Sequence, residues 1–141
     1  MRLSIRAILA ALALLGSVLL APAASATPAR GVTAKLLAQH TVGDTDYVLR
    51  EITIAAGGST GWHRHLGTLH GVVRGGVLSH FAADCASDGV YRRGQTITER
   101  PDYVHVGRNL GTEPLVLEVL YVLPHGAPLA VDEPNPGCEF E

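Results

Sequence analysis

Apolar residues along this chain recur in short runs cut by glycine, asparagine and aspartate, and no segment keeps the spacing of an amphipathic helix. The pattern predicts strands at Thr33–His40, Tyr47–Ala55, Leu69–Arg74, Val77–Ala82, Gln95–Glu99, Val104–Val106 and Leu115–Leu123. Turn residues separate them: Gly43-Asp44, Gly57-Gly58, Gly75-Gly76, Asp88-Gly89 and Asn109-Leu110-Gly111. Many short strands with glycine-rich turns argue for an all-β sandwich or barrel. Closure into a barrel or jelly roll also removes exposed strand edges. Thr27 to Gly31 reads as a short mobile lead-in. The tail from Pro124 to Glu141, rich in proline and glycine, is expected to wrap the barrel rather than pair in it. With no repeat, linker or second unit visible, residues 27–141 read as one domain.

The first stretch stands apart from this pattern. Met1 to Arg6 carries two arginines and no acid, Ala7 to Leu20 is apolar apart from Gly16 and Ser17, and Ala24-Ser25-Ala26 is a small-x-small triplet. That order is the layout of a secretory signal peptide, residues 1–26, cleaved after Ala26. The alternative is a retained anchor, but the run is shorter than the roughly 20 residues of a spanning helix. Export would place both cysteines, Cys85 and Cys138, in an oxidising compartment, where one intramolecular pairing is available to them. The alternative is two free thiols; a bridge would be structural, pinning the tail to the middle of the chain. All thirteen acidic residues follow residue 26, whereas Arg2 and Arg6 belong to the leader. The domain is therefore mildly acidic with no basic stripe, which gives no reason to expect nucleic acid or a membrane surface as partner.

Seven histidines are the most informative feature of the composition. His63-Arg64-His65 would put two imidazoles on one face of a strand while Arg64 turns away. Gly57, five residues, then His63-x-His65 matches the opening of the first cupin motif, and Gly76 falls where that motif ends. Gly94, ten residues, His105, three residues, Asn109 matches the spacing of the second. Over Gly57 to Asn109 the chain resembles the cupin superfamily, and with Gly61-Trp62-His63-Arg64-His65 and Pro136-Gly137-Cys138 it looks like small secreted single-domain cupins of bacteria. The resemblance implies a small β-barrel of the double-stranded β-helix or jelly-roll type, with His63, His65 and His105 as ligands of a divalent transition metal. Neutral imidazoles would leave that metal open positions for water or substrate. Iron, manganese, zinc, nickel and copper all suit three histidines. The resemblance also implies a homodimer.

The chain departs from the family pattern in two places. Cupins usually supply a glutamate three or four residues after the paired histidines, where this chain has Leu69 and His70, and the proline and glycine of the second motif are replaced by Arg100 and Asp102. His70 is a candidate fourth ligand by one count. Counting back from Gly76 aligns Leu69 with the glutamate instead and turns His70 away, since a shift of one residue reverses the face. His80, His40 and His125 read as core or surface residues. Glu118, inside the apolar run Leu115–Leu123, reads as an outward charge, with a general base inside the barrel as the sharper alternative. Trp62 and Tyr103 flank the expected ligands and are candidates to line a pocket, with packing as their other role. No Gly-x-Ser-x-Gly elbow, Walker loop or dinucleotide fingerprint is present. Three functions remain open: a metal-dependent enzyme on a small molecule, of dioxygenase or isomerase type; a non-catalytic barrel binding a metal or small ligand; and a metal-free structural cupin.

Overall fold

Alternation of buried and exposed side chains along the strands decides which residues face the interior. The clearest case is the strand Leu115–Pro124, in which Leu115, Leu117, Val119, Tyr121 and Leu123 are buried and each intervening residue is not. One face of a pleated strand is satisfied by apolar packing and the other by solvent or a neighbouring layer. The computed structural model describes residues 26–141, so the expected signal peptide lies outside the described residues except for Ala26. The described chain is all-β.

Ten strands form in order: β1 Arg30–Val42, β2 Thr45–Ser59, β3 His63–Arg64, β4 Thr68–Gly75, β5 Val77–Ala82, β6 Ser87–Arg92, β7 Thr96–Glu99, β8 His105–Arg108, β9 Leu115–Pro124 and β10 Val131–Asp132. They make a nearly closed antiparallel barrel. One run of neighbours is β1-β2-β9-β4-β7, and the other contains β10, β3, β8, β5 and β6. The two are joined where Ser59 of β2 pairs with Arg108 of β8. The main core lies between them, built from Val48, Ile54, Leu69, Val73, Leu78 and the inward side chains of β9. A smaller cluster of Trp62, Val106 and Cys138, with Phe81, Val104 and Phe140 against it, packs separately.

All seven expected strands lie on or overlap strands of the barrel, and three further ones were not expected. Asp88-Gly89, read as a turn, lies inside β6, where Gly89 pairs with His80. Tyr91 crosses so close to Gly89 that an added Cβ would fall 2.3 Å from its ring, so the turn-like glycine serves close packing within a strand. The tail does pair in the sheet: Val131 and Asp132 of β10 stand opposite Arg64 and His63 of β3. The lead-in is also held, because Thr27 donates its backbone N–H to Glu133 O, and Arg30 and Gly31 already belong to β1. Cys85 and Cys138 form a disulfide that ties the tail to the β5–β6 turn.

Candidate metal centre

Four strands, β3, β5, β7 and β8, and the residue after β3 bring the site together. β3 and β8 pair so that His63 stands directly opposite His105. His65 follows β3 by one residue, and Arg64 between them turns outward to Glu133 and Asp102, each at 2.7 Å. The rings of His63, His65 and His105 converge, with centroids 4.8 Å apart for His63 and His65, 4.3 Å for His63 and His105, and 5.3 Å for His65 and His105. All three are buried; His105 is 1% exposed and His65 2%.

Two members of the cluster were not expected. His80, on β5, stacks on His105 with ring centroids 4.8 Å apart. Glu99, the last residue of β7, reaches Nε2 of His65 at 3.3 Å, of His80 at 3.3 Å and of His105 at 3.2 Å. No acid stands where the first motif has its glutamate, at Leu69 or His70. Leu69, which aligns with that glutamate, pairs across the sheet with Glu99. Glu99 thus brings a carboxylate to the cluster from the strand beside Leu69. The signal for it was within reach: an acid ending a strand just before the second-motif histidine. For His80 the signal was weaker, because an isolated histidine inside an apolar strand says nothing about what it faces.

Hydrogen bonding fixes how these rings present themselves. Nδ1 of His63 lies 2.9 Å from Gly61 O, Nδ1 of His65 2.6 Å from Leu129 O, and Nδ1 of His105 2.7 Å from Tyr103 O. A carbonyl only accepts, so each Nδ1 carries the proton and donates it, leaving Nε2 with its lone pair inward in the neutral ring. Asp88 fixes the His80 ring in the same way, its Oδ1 accepting from Nδ1 at 2.6 Å, but as a carboxylate it also favours the charged ring. The buried Nε2 atoms of His65, His80 and His105 have no aligned hydrogen-bond partner. A carboxylate packed this tightly against ring nitrogens needs a positive charge among them, a proton on an imidazole or a bound cation.

The charges of the individual groups follow. Burial, then the neighbouring His105 and His65, pushes His63 down to about 3, so it is neutral at ordinary pH. Burial works against charge on Glu99, but His105, His65 and His80 outweigh it and hold the carboxyl well below the usual range. Burial also opposes the charged form of His80, and Glu99 and Asp88 outweigh it, raising its pKa. Tyr121, edge-on to His65, is pushed up to about 12 by burial and by Glu99, so it stays a neutral hydroxyl.

These residues fit a divalent metal. Ligand atoms of His63, His65 and His105 lie within 4.8 Å of one another, and so do those of His80, Glu99 and His105. Two atoms each about 2.1 Å from one ion, at tetrahedral or octahedral angles, are about 3.0–3.4 Å apart, which is the spacing between Glu99 and its histidines. Locked Nδ1 donors are also the outer support that metal-bound histidines ordinarily have.

Other expected site residues lie elsewhere. His70 is on the outer face of β4, exposed, with Thr98 Oγ1 3.3 Å from its Nδ1. The count from Gly76 is the one the strand follows: Leu69, Gly71 and Val73 face in, and His70 and Arg74 face out. Trp62 is fully buried, but in the smaller cluster with Val106 and Cys138, so it packs behind the site rather than lining a pocket. Tyr103 stacks on His105 and gives its hydroxyl hydrogen to Asp88, again behind the rings. Glu118 pairs outward with Arg74 at 2.9 Å, which removes the general-base alternative.

No protein-family model matches the sequence, and no curated protein matches it. Solved structures do. The polyketide cyclase RemF from Streptomyces resistomycificus is 21% identical over 78% of this chain and 79% of that one, with a TM-score of 0.61. A cupin-2 domain from Rhodospirillum rubrum is 18% identical over 74% of this chain and 66% of that one, with a TM-score of 0.60. KdgF from a Halomonas species is 16% identical over 64% of this chain and 77% of that one, with a TM-score of 0.53. With its antiparallel barrel and the two motifs meeting inside it, this chain has the cupin fold.

Proposed function

We propose that this chain is an extracytoplasmic, metal-dependent enzyme acting on a small molecule, with His63, His65, His105 and Glu99 as metal ligands and His80 as the proton-handling group. The observation that carries the reading is the inward convergence of buried Nε2 atoms on one carboxylate, each ring locked at Nδ1. A divalent metal held there would polarise a substrate oxygen or activate bound water or dioxygen. The disulfide between Cys85 and Cys138 is compatible with an oxidising compartment and supports the exported reading.

The residues divide the work by environment. Glu99 stays ionised and contributes negative charge against the metal. His80 differs from the other three rings because a carboxylate, not a carbonyl, holds its Nδ1. That carboxylate favours an imidazolium, so His80 Nε2 is suited to take a proton from a bound molecule and return it. Asp88 in turn is steadied by the Tyr103 hydroxyl, which keeps the His80 ring aimed inward. The apolar walls of the barrel limit water at the same atoms. A second reading makes His80 a ligand, favoured by its grouping with Glu99 and His105.

Elemental analysis of tag-free protein, beside a His63→Ala/His105→Ala double variant and a His80→Ala variant, tests both readings. Near-stoichiometric metal in the wild type, lost in the folded double variant and kept in His80→Ala, supports the proposal. Loss in His80→Ala as well moves that residue into the ligand set. No metal as purified, and none retained from iron, zinc, copper, nickel or manganese, overturns both.

A further inference from the structure

The cluster occupies one wall of a cavity of about 230 Å³ whose remaining walls are of a different character. Ile52, Leu69, Ile97, Leu117, Val119 and Tyr121 face it from β2, β4, β7 and β9. The charged side chains that touch it outside the histidines are Glu99 and Asp132, both acids; no lysine or arginine among the described residues lines it. Gly71 faces the same space from mid-strand β4, between the buried Leu69 and Val73. A Cβ there would lie 3.1 Å from Ile97 Cγ2 and 3.8 Å from Val119 Cγ2. An inward glycine in the middle of a strand forfeits packing and marks a place where something else approaches the backbone.

Resting on the metal reading above, we propose that the molecule bound here is small and largely apolar, with a single polar end directed at the histidine cluster, and that Gly71 makes room for its apolar part. Size and charge both argue for this class. An apolar cavity of about 150 Å³ accepts a benzene ring, so this one suits a single substituted ring or a short branched chain. Away from the cluster, a second anionic group on the ligand would meet apolar carbon, the acid Asp132 and the neutral hydroxyls of Thr60 and Tyr121, with no cation to receive it. Sugar acids, dicarboxylates and phosphorylated compounds are thereby disfavoured.

Two probes with one metal-binding head separate the head from the wall. Benzohydroxamate and acetohydroxamate are titrated calorimetrically into the metal-loaded full-length mature protein, beside oxalate and beside a Gly71→Val variant. The expected result is benzohydroxamate at least about tenfold tighter than acetohydroxamate, since each buried methylene is worth about fourfold. Oxalate is expected to be the weakest of the three. Gly71→Val should retain its metal and its acetohydroxamate affinity while the ratio falls to about threefold or less. Equal hydroxamate affinities in the metal-loaded wild type, or oxalate binding tightest, would overturn the substrate class while leaving the metal reading intact. Failure to load metal at all would overturn both, and elemental analysis of the same sample tells the two failures apart.

Discussion

At the scale of single residues, the site depends on which atoms of each ring are already committed. His63, His65 and His105 spend Nδ1 on backbone carbonyls, and His80 spends it on Asp88. Glu99→Gln keeps the size of the side chain and removes its charge, so metal affinity should fall at least about tenfold in a competition titration with a chelator. His70→Ala, on the outer face, should leave it unchanged; an equal loss in both variants would mean that Glu99 acts only through general stability. Away from the site, Asp46 accepts hydrogen bonds from Thr41 Oγ1 at 2.6 Å, from His125 Nδ1 at 3.0 Å and from Gly126 N at 2.9 Å. Together these lower its pKa from 3.8 to about 2. A depressed acid stabilises the fold above its unfolded pKa and loses that contribution as pH falls through the folded value. Asp46→Asn should therefore flatten the decline in stability between about pH 4 and pH 2, read from denaturant midpoints across that range.

Elements explain what the sequence disclosed and what it kept. Strands with period-two apolar patterning, such as β9 and β4, were legible because one face is buried and the other is not. β3 and β10 escaped because a two-residue strand has no pattern to read, yet they hold His63 against the tail. β6 escaped because its alternation is weak and its glycine resembles a turn. The paired histidines and His105 were legible through their spacing, whereas Glu99 offered only its place at a strand end ahead of His105, and its approach to the histidines depends on β4 and β7 being neighbours. Asp102 adopts φ 59°, a left-handed conformation that a short polar side chain such as aspartate tolerates. The tail is the other element with consequences. The disulfide closes a sequence separation of 53 residues, and Cys138 and Phe140 pack beside Trp62 and Val106. A Cys85→Ser/Cys138→Ser variant should lose about 4 kcal/mol in the chain-entropy account, measured by urea unfolding. A loss below about 1 kcal/mol would mean that the tail stays docked through its apolar contacts alone.

For the molecule as a whole, the barrel sets a polar cluster into an otherwise apolar interior, and a metal would relieve the repulsion among its members. Anything that binds the folded state alone stabilises it by mass action. The protein should therefore melt at a higher temperature with a saturating metal than after chelation, by an amount that His63→Ala/His105→Ala abolishes. Leu115→Ala, at a fully buried core position remote from this linkage, should lower both melting temperatures alike, at about 2–5 kcal/mol.

The most direct test of the metal centre is anomalous diffraction from crystals of the protein equilibrated with zinc or manganese and recorded above and below the metal's absorption edge. The account predicts one strong anomalous peak inside the barrel, about 2.0–2.3 Å from Nε2 of His63, His65 and His105 and within bonding distance of a Glu99 oxygen. Anomalous peaks confined to surface residues such as His40, His70 or His125, with the four inner side chains bonded only to one another or to water, would contradict it.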